Sequence, residues 1–380
     1  MNVLFVSKAM TVSAYRDRLR ELAALVRLRA VAPSHWDRPA DPPGPDEPWL
    51  SLEPAAFTGR NHFHVYRNAA RIISGGPRPD IVHIDEEPYS AVTAQIARQC
   101  VRRRLPFLFF AWQNIAKRIP PPFDRIRSRV FRHAAGGIAG TEAAGAVLRT
   151  WGFNGPLAIV PQMGVDPERF RPDPAARATA RARIGADDDD FVIGFAGRLV
   201  EAKGIHDLLT AAFAGGPDDH ARLVFLGDGR ERLRLERTAV ERGVAARVRI
   251  EGGVPSRDVA DWLPGFDAVV LPSLTTRSWK EQFGRILVEA MACAVPVIGS
   301  SSGEIPNVIG AAGMVVPEGD VPALARAIAT LARSKALRVT LGRMGRERVL
   351  ARWTNRQIAA ATTAFYERIL EPARAPAQAP

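Results

Sequence analysis

Cysteine is scarce: Cys100 and Cys293 are the only two thiols in 380 residues. Standing alone in apolar or helical surroundings, they exclude a disulfide framework of the secreted kind and a cysteine-based metal centre. Long apolar runs are missing as well. No stretch approaches the roughly 18 uninterrupted apolar residues that a membrane span requires. The opening MNVLFV runs straight into a strand, without the charged head and cleavage region of a signal peptide. A reducing, cytoplasmic setting is therefore expected. Acidic residues are in deficit, with 40 Asp and Glu against 52 Lys and Arg, a net charge of +12. Residues 1–160 hold most of the excess, 22 basic against 13 acidic. Such a face suits anionic lipid or a polyanionic substrate, or simply solvates an arginine-rich surface. The aromatic-basic platform of a nucleic-acid binder is not visible, so no nucleic acid is expected as a partner.

What is present is globular. Hydrophobic residues make up 47% of the chain, enough for two cores at this length. Strand-like runs at Asn2–Val6, Ile81–Ile84, Pro106–Ala111, Gly137–Ala139 and Leu157–Val160 alternate with helical patterns at 14–28, 88–103, 122–133 and 141–151. Residues 33–54 are too rich in proline for either element and read as a surface loop. A second proline-rich seam, PQMGVDPERFRPDP at 161–174, marks a domain boundary. Beyond it the alternation restarts. Helices are expected at 174–184, 203–213, 230–242, 256–263, 284–292, 320–333 and 335–350, and strands at 191–196, 222–227, 247–251, 267–271 and 295–299. Repeated strand–helix–strand order predicts an α/β fold of two Rossmann-like, doubly wound parallel-sheet domains, residues 1–165 and 166–352, with ligands at the carboxyl ends of the strands. A last helix at 353–370 is expected to pack on the first domain, with a disordered tail at 371–380.

The stretch WKEQFGRILVEAMACAVPVIGSSSGEIP, Trp279 to Pro306, is the organising element. Glu281 falls in a polar loop and Glu289 in the helix after it, so two carboxylates can reach opposite ends of one extended ligand. Phe283, Gly284 and Arg285 stand where the helix begins, an end that attracts phosphate. In FAGRLVEAKGIHD, Arg198 offers a bidentate fork and Lys203 a point charge after a strand, as a diphosphate would require. Gly227 and Asp228 in FLGDG, and Val254 and Pro255 in GGVP, end two further strands at turns that either admit a base or ribose or serve the turn alone. The run Asp187–Asp190 precedes a strand and reads as a solvated loop rather than a metal site. In the first domain His83 stands at the end of one strand with Glu86 and Glu87 after it, and Trp112, Gln113 and Asn114 follow the next strand. Each group is either a sugar contact or ordinary packing and turn chemistry. The basic segment Ile115–His133 is either an interfacial membrane helix or an amphipathic surface helix.

These residues resemble a retaining glycosyltransferase of the GT-B architecture, family 4. The layout matches over nearly all of residues 1–370, and the specific motifs lie within 194–318: GRLVEAKG, FLGDG, LPS at 271–273, EQFGRILVEAMAC and SGEIP. The resemblance implies a hexosyl transfer from a nucleotide-diphospho-sugar to a glycan, lipid-linked or small-molecule acceptor, with no metal and no cofactor. Arg198, Lys203 and Glu281 would be catalytic. Glu289, Phe283, Gly284, Arg285, Ile286, Leu287, Gly197, Gly227, Asp228, Val254 and Pro255 would bind the donor. His83, Glu86, Glu87, Trp112, Gln113 and Asn114 would face the acceptor. It also implies the cytoplasm, with peripheral contact to an anionic membrane as a further partner class. The chain departs from the family pattern in three places: SKAMTVSAY lacks a glycine pair, WQN stands where many members have a histidine, and Ala294 replaces a common glycine. The architecture is shared by nucleotide-sugar epimerases and hydrolases, which would consume donor without an acceptor, and would equally serve a binding regulator without turnover.

Overall fold

The computed structural model describes residues 1–215, 220–255 and 257–374. The chain divides into two compact units, Met1–Met163 together with Asn355–Pro380, and Gly164–Thr354. The tail expected to be disordered lies, from residue 375 on, outside the described residues, and residues 371–374 continue the last helix, Asn355–Arg374.

The first unit is built on a seven-stranded parallel sheet. Its order is Leu50–Glu53, Arg27–Pro33, Asn2–Val6, Ile81–Ile84, Phe107–Ala111, Gly136–Ala139 and Leu157–Ile159. Side chains on a strand alternate between faces, and both faces here are apolar. Leu4 and Val6 join one core with helices Ala69–Ser74, Ala91–Arg102 and Glu142–Thr150, while Val3 and Phe5 join another with helices Asp17–Leu25 and Asn355–Arg374. That is why the strands read as near-continuous hydrophobic runs. Gly136 lets the last helix approach, since a Cβ there would lie 2.6 Å from Ile369.

In the second unit the sheet is six-stranded and parallel: Val248–Glu251, Ala221–Leu226, Phe191–Ala196, Ala268–Leu271, Val297–Ser300 and Met314–Val316. Its helices start where the sequence supplies caps. Asp173 accepts from the Ala175 and Ala176 amides ahead of helix Pro174–Ile184, which ends on left-handed Gly185. Asp320 and Ser334 cap helices Val321–Arg333 and Lys335–Arg352 in the same way.

Three expectations are corrected. The helix expected over 14–28 stops at Leu25, and Arg27–Pro33 is a strand, because its alternating pattern finds a partner in Asn2–Val6. Within the proline-rich segment Leu50–Glu53 forms a strand at the sheet edge, where prolines are tolerated. The helix expected at 256–263 is two short 3-10 turns, Asp258–Asp261 and Leu263–Gly265, with Pro264 and Gly265 blocking propagation.

Asp267 locks helix Pro174–Ile184 to the second sheet. Its carboxylate takes Arg177 at 2.8 Å, Arg181 at 3.1 Å and the Val192 amide at 2.9 Å. Asp267→Ala leaves the buried Arg181 guanidinium without its anion and is expected to cost about 3 kcal/mol of stability. Asp189→Ala, on an exposed side chain of the acidic run, should cost less than about 0.5 kcal/mol. Urea unfolding of both variants checks this.

Candidate functional site

Strand Phe191–Ala196 sits where the strand order of the second sheet reverses, with Ala221–Leu226 on one side and Ala268–Leu271 on the other. Loops leaving the carboxyl ends of strands at such a point diverge, and the crevice between them is where open α/β sheets bind ligands. Here the loops are 197–204 and 272–284, and backbone hydrogen bonds hold them in place. Gly197 donates to Leu226 O at 3.0 Å, Leu199 to Asp228 O at 2.9 Å, and Leu274 to Ala202 O at 2.8 Å. Close approach requires glycine at Gly204, where φ is +64° and a Cβ would stand 2.0 Å from Pro272 O.

Lys203 and Glu281 meet across this point, Nζ to Oε2 at 2.6 Å. Ser273 Oγ donates to the same oxygen at 2.7 Å, and the Trp279 ring lies 5.0 Å from the ammonium. The Glu281 main chain is held as firmly as its side chain. Its carbonyl accepts from the Glu304 amide at 3.2 Å, and a Cβ on Gly303 would come within 1.9 Å of that carbonyl. Arg198, on the same loop as Lys203, is exposed, and its guanidinium has no partner among the described residues.

Helix Arg285–Ala292 follows, entered through Gly284 at φ +78°. The first N–H groups of a helix lack intrahelical acceptors, so this end is polarised toward anions. Arg285 Nε lies 2.6 Å from Glu289 Oε1. Burial pushes the Glu289 carboxyl above its ordinary range, and Arg285 works against the shift. Ile286 and Leu287 are buried, Leu287 behind Gly284, and Phe283 packs edge-on against Trp353. Gly227 donates to Glu251 O, and Asp228 caps its own turn through the Gly229 amide. Val254 and Pro255 line a separate open hollow with Trp262 and Arg183. The acidic run is structural: Asp190 pairs with Arg222 and accepts from the Asp187 amide. Among the described residues no group of three or more His, Cys, Asp or Glu could hold a metal ion.

In the first unit the equivalent reversal lies between Asn2–Val6 and Ile81–Ile84. The following loops bring together Ser7, Lys8, Asp85, Glu86 and Glu87. Ser7 Oγ donates to Asp85 at 2.7 Å, Arg18 reaches the same oxygen at 2.6 Å, and Lys8 pairs with Glu86. Lys8, Asp85, Glu86 and Glu87, together with Tyr15, Trp36, Trp112 and Gln162, line a hollow of about 280 Å³. Glu87 Oε1 accepts from the Trp112 and Gln113 amides at 2.8 and 3.1 Å, while Oε2 is sealed from solvent with no hydrogen-bond partner. Burial raises its carboxyl to about 7. His83 does not line the hollow. It is buried, its Nδ1 2.6 Å from the Tyr366 hydroxyl, and burial holds it well below the usual imidazole range. Asn114 is buried too, and Gln113 turns its amide to the Ile115 carbonyl. Sequence reasoning left Ser7, Lys8, Gln162, Ser273 and Trp279 without a role. Ser273 carried a signal as the last residue of LPS, Trp279 as the first residue of the organising stretch, and Ser7 and Lys8 as the start of SKAMTVSAY.

Residues 176–348 match the family model described as Glycosyl transferases group 1. The GDP-mannose-dependent alpha-(1-6)-phosphatidylinositol monomannoside mannosyltransferase of Mycobacterium tuberculosis is 35% identical over 210 residues, 52% of this chain and 53% of that protein. A D-inositol 3-phosphate glycosyltransferase of Streptomyces bingchenggensis is 32% identical over 225 residues, 54% of this chain and 47% of that protein. The chain thus spans about half the length of the curated relatives it matches. Among solved structures, Anabaena HepE in complex with UDP superposes with a TM-score of 0.75 at 19% identity, over 98% of this chain and 99% of that one. That likeness extends the common fold over both units. Residues 176–348, most of the second unit, are thus similar to the glycosyl transferases group 1 family, and the two parallel α/β sheets have the GT-B fold.

Proposed function

We propose that this protein is a retaining glycosyltransferase that moves a hexosyl group from a nucleotide-diphospho-sugar to a hydroxylated acceptor. One observation carries the reading: Lys203, Glu281 and Ser273 converge at the switch point of the second sheet, beside the N-terminal end of helix Arg285–Ala292. A sugar diphosphate is the ligand that this charge pattern suits. Lys203, Arg198 and the helix end neutralise the negative charge that grows on the leaving phosphate as the glycosidic bond breaks. Glu281, fixed by Ser273 and by its own backbone, orients the sugar hydroxyls, and buried Glu289 accepts from the ribose. The departing phosphate oxygen takes the acceptor proton on the same face, so configuration is retained.

Relatives named for GDP-mannose and a structural neighbour holding UDP make those donors the first to test. A panel of nucleotide sugars should contain one that raises the melting temperature, by about 3 kcal/mol of stabilisation at a hundredfold excess over its dissociation constant. On the acceptor side, Glu86 and Trp112 border the hollow of the first unit and offer a carboxylate and an aromatic face to a polyol, while Glu87 holds the backbone of Trp112 and Gln113 in place.

With the stabilising donor, Arg198→Ala should lower turnover about 100-fold without changing stability, since its guanidinium holds nothing else in the fold. Glu281→Gln and Lys203→Ala should lose at least as much, and transfer should survive excess EDTA. Near-normal turnover in all three, or rapid consumption of donor without acceptor, removes the proposal.

Glu87 supplies a pH test. The folded state keeps the proton up to about pH 7, whereas the unfolded chain releases it near 4.5. Between those values the native state binds more protons, so raising the pH costs stability, about 3 kcal/mol over the window. Glu87→Gln removes that slope. Its stability relative to wild type should therefore rise between about pH 5 and about pH 8 in urea titrations. A constant difference would show that Glu87 is ionised throughout.

A further inference from the structure

Loop 272–284 carries one large ring, Trp279, directly after four exposed residues, Thr275 to Ser278, and the ring itself is half-buried. Its main chain is closed into a turn. The Thr276 amide donates to the Trp279 carbonyl at 2.7 Å, and the Trp279 amide donates to Thr276 Oγ1 at 3.0 Å. The turn is tied down at its base, where Thr275 Oγ1 lies 2.7 Å from Glu318 Oε1 and 3.0 Å from Ser302 Oγ. Ser302 Oγ in turn accepts from the Glu281 amide at 3.4 Å. The indole is therefore presented by a fixed backbone, through the same network that holds Glu281.

What the ring covers is the Lys203 ammonium, 5.0 Å from its centroid. Tryptophan is the best cation–π partner among the aromatic side chains, and the attraction grows where water is excluded. The Lys203 side chain is 14% exposed, so the contact falls in that regime. Lys203 leaves a short 3-10 turn, Glu201–Lys203, on a flexible four-carbon stem. Two partners fix its charged end, Glu281 Oε2 at 2.6 Å and the Trp279 ring. They respond differently to an anion. A diphosphate competes with the Glu281 carboxylate for the ammonium, because both are charged acceptors. It does not compete with the ring, which attracts only the cation. Ser273 Oγ, 2.7 Å from the same Glu281 oxygen, keeps that carboxylate hydrogen-bonded as the lysine turns toward phosphate. The ammonium can thus exchange one anion for another while the indole holds it and screens it from water, where its pull on a phosphate is strongest.

We propose that Trp279 is a positioning residue for the transfer reaction, holding Lys203 against the donor diphosphate through a cation–π contact. The inference rests on the reading of Lys203 as a diphosphate ligand. The test is calorimetric titration of the full chain with GDP and with UDP, followed in variants for whichever binds more tightly. Trp279→Leu, which keeps an apolar cover and loses the quadrupole, should weaken binding about tenfold. Trp279→Phe should return it to within about threefold of wild type. In a Lys203→Met background the change Trp279→Leu should cost less than about twofold, since the ring then has no cation to hold. Circular dichroism and urea midpoints confirm that each variant is folded. An equal loss from Trp279→Leu in both backgrounds marks a ring that serves packing alone and overturns the proposal. So does wild-type affinity in Trp279→Leu beside weakened binding in Lys203→Met. Failure of the wild type to bind either diphosphate, or unchanged binding in Lys203→Met, instead removes the phosphate role of Lys203 itself, and this inference with it.

Discussion

A carboxylate and an ammonium, both largely withdrawn from water, meet 2.6 Å apart at the end of the second sheet, and much of that unit is arranged to keep them there. Neither charge is tolerable alone at such burial, because the desolvation penalty is offset only while the pair is intact. Lys203 can reach Glu281 because the loop after Phe191–Ala196 is pinned to its neighbours through backbone hydrogen bonds, and Gly204 removes the side chain that would hold it off Pro272. On the opposite side Ser273 and the Gly303 turn hold Glu281. Rigid backbone around a charged pair is what a site needs when its task is to stabilise charge that appears only during reaction.

Both units place their polar residues at the point where strand order reverses, for the same geometric reason: only there do consecutive loops part and leave room. Their electrostatics differ. In the second unit the reversal presents Lys203, Arg198 and a helix N-terminus, suited to phosphate. In the first it presents three consecutive carboxylates against Lys8 and Arg18, with the Glu87 carboxyl pushed up to about 7 by burial.

Which elements were readable follows from how local their causes are. Runs such as IVHI and FLFFA declare buried parallel strands, and Asp173 with Pro174 declares a helix start, because both signals lie within a few residues. Arg27–Pro33 is apolar at both helical and alternating spacing, and only the open edge of Asn2–Val6 resolves the choice. His83 stood out as the histidine ending an apolar strand, yet the strand turns it into the core toward Tyr366, a partner 283 residues away.

By itself the sequence determined the α/β class and displayed the motifs of the candidate donor site, Arg198 and Lys203 in GRLVEAKG and Glu281 and Glu289 in EQFGRILVEAMAC, because those signals are local. Only the tertiary structure decided that Lys203 pairs with Glu281 and Ser273, and that Glu87 is sealed on one oxygen. Those facts depend on which strand ends become neighbours and which charges find partners, and both are set by contacts between residues far apart along the chain.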